Sequence, residues 1–209
     1  MTTISHAAVS QRSYRNQPTD HTSYYPDLAG TTAAIATHHF LSAQAAADII
    51  RAGGNAVDAM VAAVLVEGVV NPQMHTIGGE CPILIKMANQ ARVISINGNM
   101  AAPGLATPAA FRERGLADVP DEGILAAGVP AAFGALLTAL LHFGKLSFSE
   151  VATHATGLAR DGFAASSGLI HQERHGLCDL AGKFRQEWPG SAALYLPPGN
   201  GIPKVGDRI

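Results

Sequence analysis

Two alanine-rich segments separated by Gly-Gly-Asn at residues 53–55 constrain the fold of this chain more than any other feature. Their apolar residues recur with helical spacing, so we predict two helices that pack closely through small side chains. Ser42 is the predicted N-cap of the first helix, which runs through Arg51. Gly53 follows where a left-handed C-cap is favoured, and Asn55 is the predicted N-cap of the second helix. The sequence therefore predicts a tight helical hairpin.

The second helix is predicted to be buried, because apolar residues cover nearly all of its circumference between positions 57 and 70. Asp58 lies in its first turn, where a negative charge is favourable, and Pro72 ends it. Two short apolar segments follow at 82–87 and 92–96, with a polar turn between them. They predict a β-hairpin.

The composition predicts one sizeable hydrophobic core. The chain has 209 residues, of which 47% are hydrophobic and only 14% are charged. Its formal net charge of -2 gives no electrostatic footprint for nucleic acid or for an acidic membrane surface, so we expect neither as a partner. No uninterrupted apolar stretch reaches roughly 18 residues, and the start of the chain lacks the apolar core of a signal peptide. We therefore expect a cytoplasmic protein.

The first part of the chain differs in character from the rest. Residues 1–30 are polar and aperiodic and predict an extended N-terminal arm, with residues 31–209 forming the main domain. Residues 32–37 form a short apolar run compatible with a buried strand. His38 and His39 suggest a metal site or a general base, but adjacent residues on a strand point to opposite faces. One packed and one exposed histidine is the favoured interpretation.

Further helices are predicted in the second half of the chain. Thr107 and Pro108 open a short helix, and residues 131–142 form a longer one that stops at Gly144. Residues 147–150 read SFSE, a capping box that begins a helix through about residue 160. The apolar face of the longer helix is predicted to consist of four leucines, Leu136, Leu137, Leu140 and Leu141.

Metal binding has little support in the sequence. Residues 166–184 predict helix, and His171 and His175 would share one face of it, a spacing that can bind zinc. No HExxH pattern frames the pair, so two solvent-facing side chains are the favoured interpretation. Cys81 and Cys178 match no zinc spacing and no disulfide framework. We expect no metal and no cofactor.

Two glycine-containing loops are candidates for a functional site. Gly78 and Gly79 would let the backbone approach a ligand closely, but no phosphate-binding motif surrounds them, so nucleotide binding is rejected. Cys81 is a possible thiol nucleophile, although no partner base is identifiable and a core thiol is the favoured interpretation. The loop 97–99, Asn-Gly-Asn, follows the second strand, and loops at strand ends commonly carry function.

Motifs spread over most of the chain resemble those of the gamma-glutamyltranspeptidases. The resemblance runs from about residue 34 to the C-terminus, and the segment GGNAVDA in combination with the later IGG and GVP makes it specific. The segments that carry it are Ser42-Ala43-Gln44-Ala45, residues 53–59, Val69-Val70-Asn71-Pro72, Ile77-Gly78-Gly79, Ala102-Pro103, Ala106-Thr107-Pro108, Gly128-Val129-Pro130, Gly144-Lys145-Leu146 and Val205-Gly206-Asp207.

The resemblance implies an α+β fold, the αββα sandwich of N-terminal-nucleophile hydrolases, of which this chain would supply a large-subunit portion. In that family a precursor cuts itself, and a threonine at the new N-terminus of the small subunit attacks an amide. The free α-amine serves as the base for that threonine's own hydroxyl. The resemblance therefore implies a companion small-subunit chain that carries the nucleophile, and no catalytic residue in this chain.

Two departures from the family's pattern bear on the substrate. Where the transpeptidases carry an arginine that grips the substrate's α-carboxylate, this chain has Asn99. An amide does not replace a charged bidentate clamp, so we expect Asn99 to bind a different small-molecule amide substrate. The family's glycine run also changes to Glu80-Cys81-Pro82, which adds a negative charge and removes a backbone donor.

The departures favour a divergent amidohydrolase or acylase that acts on small amides such as oxamate. A non-catalytic member that retains the scaffold for assembly or binding is the alternative. A self-contained thiol hydrolase that uses Cys81 is a third hypothesis.

Overall fold

The computed structural model describes residues 30–199 and 201–209, so the predicted arm lies outside the described residues except for Gly30. Residues 35–209 belong to one compact unit. Residues 32–37 are irregular and mostly exposed, and the strand predicted there is wrong. The helices that the described residues form are α1 (Phe40–Arg51), α2 (Ala56–Val70), α3 (Pro108–Glu113), α4 (Ala132–Phe143), α5 (Phe148–Val151), α6 (Thr153–Asp161), α7 (Ser167–His171), α8 (Leu177–Glu187) and α9 (Pro189–Tyr195), with a 3₁₀ turn at Ile124–Ala126.

Helices α1 and α2 form the predicted helical hairpin. The Gly53 backbone has a φ of 95°, in the left-handed region that favours glycine, and it reverses the chain after α1. The Asn55 side chain accepts hydrogen bonds from the backbone N–H groups of Val57 and Asp58, at 2.8 and 3.1 Å. Asp58 accepts the Asn55 N–H in return, at 2.7 Å. This reciprocal capping confirms the predicted start of α2.

Helix α1 begins earlier than its sequence predicts. His39 is the N-cap, because its Nδ1 accepts the Leu41 N–H at 3.2 Å, and Ser42 instead lies inside the first turn. The Ser42 side chain is fully buried, and its hydroxyl has no hydrogen-bond partner among the described residues. The prediction of Ser42 as N-cap is therefore wrong, since a ring nitrogen three residues earlier already fills that role.

Replacing Ser42 with alanine is expected to leave the free energy of unfolding unchanged or to raise it by up to about 1 kcal/mol. The substitution removes a buried hydroxyl that lacks a partner, and it introduces the best helix former. Urea unfolding followed by circular dichroism measures the effect. A loss above about 1 kcal/mol would show that the hydroxyl is satisfied after all, and Ala43→Ser supplies a comparison at a neighbouring helical position.

Helix α2 is the centre of the hydrophobic core. It packs against α1, α4, α5 and α6, and its buried side chains include Val61, Ala62, Val66 and Val70. Small residues on both helices allow the close approach of α1 to α2. Asn71 follows as the C-cap and Pro72 comes next, so the predicted burial and end of this helix are confirmed.

A fully buried carboxylate joins α2 to the end of α4. In addition to the hydrogen bond from the Asn55 N–H, Asp58 accepts hydrogen bonds from the backbone N–H groups of Lys145 and Leu146, at distances of 2.9 to 3.1 Å. A Cβ atom at Gly144 would come within 2.6 Å of the Asp58 Oδ1 atom, so only glycine fits there. Charged hydrogen bonds of this kind are among the strongest in proteins, and here they connect helices that are distant in sequence.

The two strands form the predicted hairpin in shorter form. Strand β1 (Ile83–Ile85) pairs antiparallel with β2 (Ile94–Ile96), and Leu84 lies opposite Ser95. Ile83 and Ile85 point into the core, whereas Leu84 is 75% exposed on the other face. One face of the hairpin therefore packs on the helices, and the other presents an apolar side chain to the outside.

In the second half of the chain, the observed helices agree in outline with those predicted from the sequence. Thr107 caps α3 and Gly144 ends α4, as predicted. Leu136 and Leu140 of α4 are buried, but Leu141 is 80% exposed and Leu137 is also exposed, so half of the predicted apolar face is wrong. The actual buried face alternates leucine with small residues, Ala132, Ala135 and Ala139.

The predicted capping box opens α5, and the helix breaks at Ala152 before α6 continues to Asp161. The Ser147 side chain and backbone donate hydrogen bonds to Glu150, and these bonds lower the pKa of the Glu150 carboxyl below its usual range. Within the described part of the chain, no helix combines the length and the apolar character needed to cross a membrane.

Candidate functional site

Three loop segments, 78–82, 97–101 and 128–132, are joined by backbone hydrogen bonds. The Cys81 N–H donates to the Gly98 carbonyl at 2.9 Å, and the Val129 N–H donates to the Ala101 carbonyl at 2.8 Å. The segment that begins with the predicted glycine pair therefore contacts the loop that follows β2. This junction is the candidate functional site.

Helix α4 starts at this junction with a cap that comes from another segment. The Gly79 carbonyl accepts the N–H groups of both Ala131 and Ala132, at 3.0 Å each. Sequence reasoning missed this contact, although a signal was present. Position 131 carries alanine, which cannot cap a helix, so the first N–H groups of α4 require an acceptor from elsewhere in the chain.

Two glycines permit the close backbone contacts of the junction. A Cβ atom at Gly98 would lie 2.6 Å from the Cys81 carbonyl carbon and 2.8 Å from the Ala135 Cβ, and closer still to the Cys81 carbonyl oxygen. A Cβ atom at Gly128 would lie 2.8 Å from the Met100 Cβ. Any side chain at these positions would push the segments apart.

Asn97 and Asn99 flank the buried Gly98, and both are exposed. The Asn99 side-chain amide donates to the Asn97 Oδ1 at 2.9 Å, and the Asn99 backbone N–H donates to the same oxygen at 3.2 Å. Within the described residues the Asn99 Oδ1 accepts no hydrogen bond, so it offers an acceptor to a ligand. The role of Asn99 in substrate binding stays a prediction.

Glu80 brings a negative charge to the junction. Its side chain is exposed, and its Oε2 accepts the Met100 N–H at 3.4 Å, a long hydrogen bond. In the sequence segments 76–83, 97–106 and 124–133, Glu80 is the single charged residue. These three sequence segments therefore carry one carboxylate and no cation of their own.

Cys81 is half-buried and packs against the hydrophobic core. Burial raises the pKa of its thiol above the usual range, so the reactive thiolate is disfavoured at neutral pH. The Cys81 backbone N–H takes part in the junction through its hydrogen bond to the Gly98 carbonyl. These observations favour the packing interpretation over a nucleophilic role.

In neither histidine pair of the sequence, His38 with His39 or His171 with His175, do the two residues share one face of a helix or strand. His39 is buried and His38 is exposed, as the favoured interpretation predicts. His171 ends α7, and His175 follows a turn at Arg174, so the prediction that His171 and His175 share a helix face is wrong. His171 instead lies 3.4 Å from the Cys178 sulfur. Over the described residues, no group of three or more potential ligands is arranged to hold a metal ion.

A polar network supports the loop that leads from α2 to the junction. Glu67 accepts the His39 backbone N–H at 2.8 Å and the Asn71 side-chain amide at 3.2 Å. Asn71 in turn accepts the Gln73 amide at 2.6 Å. Burial lowers the pKa values of His39 and His75, and the nearby Glu67 offsets part of this effect for both. Both histidines are therefore held neutral near pH 7.

The free energy of unfolding is expected to fall as the pH drops below about 6.5, the ordinary pKa of histidine. Because the folded-state pKa values of His39 and His75 are lowered, the unfolded chain takes up protons first. The stabilisation is complete above about pH 6.5 and is lost as the pH falls towards the folded-state values. Urea titrations between pH 7.5 and 5.5 measure this slope.

His39→Asn supplies the matched control, since asparagine retains the N-cap and does not titrate. We expect this variant to lose less stability on acidification than the wild type. An identical pH slope in the two proteins would show that His39 does not contribute to it.

Comparison with solved structures defines the class of protein. Gamma-glutamyltranspeptidase from Helicobacter pylori superposes with a TM-score of 0.77 at 25% sequence identity, over 88% of this chain and 52% of that chain. The fold is the α+β fold of the N-terminal-nucleophile hydrolases, which confirms the predicted fold class. Within the described residues this chain contributes to it a helical layer and one two-stranded hairpin.

The chain belongs to the gamma-glutamyltranspeptidase family, whose family model matches residues 42–209. It is 34% identical over 180 residues to the acylase ACY 1 proenzyme of Pseudomonas sp. (strain SE83), which covers 82% of this chain. It is 31% identical over 182 residues to the oxamate amidohydrolase proenzyme of Klebsiella pneumoniae, which covers 84% of this chain. The matches span 31% and 33% of those two relatives, about a third of their length.

Proposed function

We propose that this chain is the large-subunit part of an amidohydrolase or acyltransferase, in which a threonine on a companion chain cleaves an amide bond. The observation that carries the proposal is the family match over residues 42–209, which includes all three segments of the candidate site. The acylase and the oxamate amidohydrolase that resemble this chain are both named as proenzymes. An acylase and an amidohydrolase both act on amides, as the proposed reaction requires.

The reaction follows from the chemistry of an N-terminal threonine. Its hydroxyl attacks the amide carbonyl while its own α-amine takes up the proton, and backbone N–H groups stabilise the oxyanion. The proton then passes to the leaving amine, and an ester between the acyl group and the threonine remains. Water completes a hydrolysis, whereas a second amine completes a transfer. This chain contributes binding of the acyl group, with Asn99 as the proposed contact.

Exposed apolar side chains on the outer face of the β1–β2 hairpin are consistent with a companion chain that packs on it. Leu84 in β1 is 75% exposed, and Val93, the residue just before β2, is 59% exposed. Exposed apolar side chains on a sheet are usually covered by another layer. A second sheet contributed by the companion chain would cover them.

The full-length gene product tests this proposal. Intact mass spectrometry is expected to show one precursor that converts into two chains, with threonine as the first residue of the smaller one. Replacement of that threonine by alanine should block both the conversion and the hydrolysis of acyl p-nitroanilides. A precursor that never cleaves and hydrolyses no amide would overturn the proposal. Cleavage without hydrolysis of any amide would favour the non-catalytic scaffold.

A further inference from the structure

We infer that a cavity beside the loop after α2 binds a small, neutral aromatic molecule that carries a hydrogen-bond donor. The cavity lies between residues 72–76 of that loop and the helices α7, α8 and α9, and its volume is about 450 Å³. Pockets that bind small molecules usually measure ~300–1,000 Å³. The inference goes beyond the proposed function, because it assigns a ligand site outside the three segments of the candidate functional site.

Three aromatic side chains line the cavity. The rings of Trp188 and Tyr195 lie against that of Phe184, with centroid distances of 5.7 and 6.4 Å. Leu169 and Leu180 extend this apolar lining. Aromatic rings pack well on one another in offset or edge-to-face contacts, so a planar apolar ligand gains most from such a lining.

Gln73 also lines the cavity, and it supplies a buried acceptor that lacks a donor. Its Nε2 donates to the Asn71 Oδ1 at 2.6 Å, and the Gln172 Oε1 lies 3.5 Å from the same nitrogen. The Asn71 amide group donates to Glu67, so the Asn71 oxygen needs a donor, and this need fixes the orientation of the Gln73 amide. The Gln73 Oε1 is then left without a hydrogen-bond partner among the described residues. Because buried polar atoms are rarely unpaired, an N–H or O–H group on a ligand would complete this site.

The charges near the cavity favour a neutral ligand. Among the described residues that line it, none is an aspartate, glutamate, lysine or arginine. Burial raises the pKa of the Tyr195 hydroxyl above its usual value, so this group stays neutral as well. The Lys183 ammonium lies 4.9 Å from the centroid of the Trp188 ring, but it is paired with Glu122. The other charged residues of the neighbouring segments are exposed or hydrogen-bonded to other groups: Glu67, Glu173, Arg174, Asp179, Arg185 and Glu187. A charged ligand would therefore lose its hydration without gaining a counter-charge.

Thr76 connects the cavity to the candidate functional site. It lines the cavity, its Oγ1 accepts the Gly78 N–H at 3.2 Å, and its carbonyl accepts the Gly79 N–H at 3.0 Å. The Gly79 carbonyl in turn caps α4. A ligand in the cavity would therefore lie beside the turn with which the junction begins.

Indole and 1-methylindole test the inference on the full-length protein. Both molecules are planar, neutral and apolar, but only indole has an N–H donor. Isothermal titration calorimetry is expected to show that indole binds roughly 10-fold more tightly, because its N–H pairs with the buried acceptor. Equal affinities would overturn the inference, and so would the absence of binding, which would show that another part of the protein fills the cavity. These titrations require no amide hydrolysis, so their failure is distinguishable from a failure of the proposed function.

Two variants locate the bound molecule. Gln73→Met fills a similar volume without the acceptor, so it is expected to lower the affinity for indole to that for 1-methylindole. Trp188→Ala removes part of the aromatic lining and should weaken the binding of both molecules by roughly 5-fold or more. Gln44→Met is the matched control, because Gln44 is exposed on α1 and does not line the cavity. An unchanged preference for indole in Gln73→Met, or unchanged affinities in Trp188→Ala, would show that the molecules bind elsewhere and would overturn the inference.

Discussion

Asp58→Asn is expected to lower the free energy of unfolding by about 3–5 kcal/mol. The Asp58 carboxylate is fully buried and accepts backbone hydrogen bonds from Asn55, Lys145 and Leu146. An asparagine side chain has the same shape, but its NH2 group would replace one carboxylate oxygen and would point at backbone N–H groups that also need an acceptor. Buried donors would then face each other without an acceptor, at the point where α2 joins the end of α4. Urea unfolding measured by circular dichroism gives the magnitude.

The same substitution at Asp48 serves as the control. Asp48 pairs with Arg51 at 2.6 Å on the surface of α1, and exposed pairs of this kind contribute about 0–1 kcal/mol. We therefore expect Asp48→Asn to have a small effect. If Asp58→Asn destabilises the protein no more than Asp48→Asn does, the bonds that Asp58 makes to residues 145 and 146 do not hold the helices together.

Gly98→Ala is expected to lower the free energy of unfolding by about 3 kcal/mol and to abolish amide hydrolysis by the processed enzyme. The added Cβ atom would overlap the Cys81 carbonyl group and the Ala135 side chain. The overlap is with backbone, which cannot rotate away as a flexible side chain can. The bond between the Cys81 N–H and the Gly98 carbonyl would break, and Asn99 would move away from Glu80.

Gly182→Ala is the matched control for this prediction. Gly182 lies in α8, and a Cβ atom there would meet no other atom within 4 Å. The same chemical change should raise the free energy of unfolding by up to about 1 kcal/mol, since alanine favours the helix over glycine. Thermal unfolding of both variants checks the opposite signs. If Gly98→Ala changes neither the stability nor the amide hydrolysis, the junction can accommodate a Cβ atom at position 98 and the prediction is wrong.

Local signals predicted the elements near the start of the domain. The turn after α1 needs a left-handed backbone at position 53, and glycine adopts it readily. Asn55 and Asp58 then form reciprocal hydrogen bonds across the first turn of α2. The helical hairpin therefore follows from interactions between residues that are close in sequence. The capping box at Ser147 is equally local. These predictions succeed because the physical cause and its effect lie within the same short window of sequence.

Predictions that depended on distant partners were less successful. Ser42 is a good N-cap residue, but His39 occupies that role and Ser42 turns into the core. Leu141 fits a helical apolar pattern, yet which face of α4 is buried depends on the helix that packs against it. His171 and His175 have the right spacing for one helix face, but the helix ends at His171.

The candidate site was predicted in part. The sequence indicates the Asn99 loop and the change at Glu80, because both depart from the family's pattern. It does not show that the Gly79 carbonyl caps α4, or that Gly98 lies against Ala135. These contacts join residues that are tens of positions apart, so only the tertiary structure reveals that the three segments meet.

The bonds that Asp58 makes to residue 145 have a consequence for the order in which the protein folds. Helices α1 and α2 are joined by a short turn, so they can pair as soon as both have left the ribosome. The acceptor and the Lys145 N–H are 87 residues apart, and closing a loop of that length costs roughly 4 kcal/mol of chain entropy. During synthesis the Asp58 carboxylate therefore keeps its local bond to the Asn55 N–H but lacks its two distant partners until residues 145 and 146 have been made. The hairpin forms early, and the core it anchors closes late.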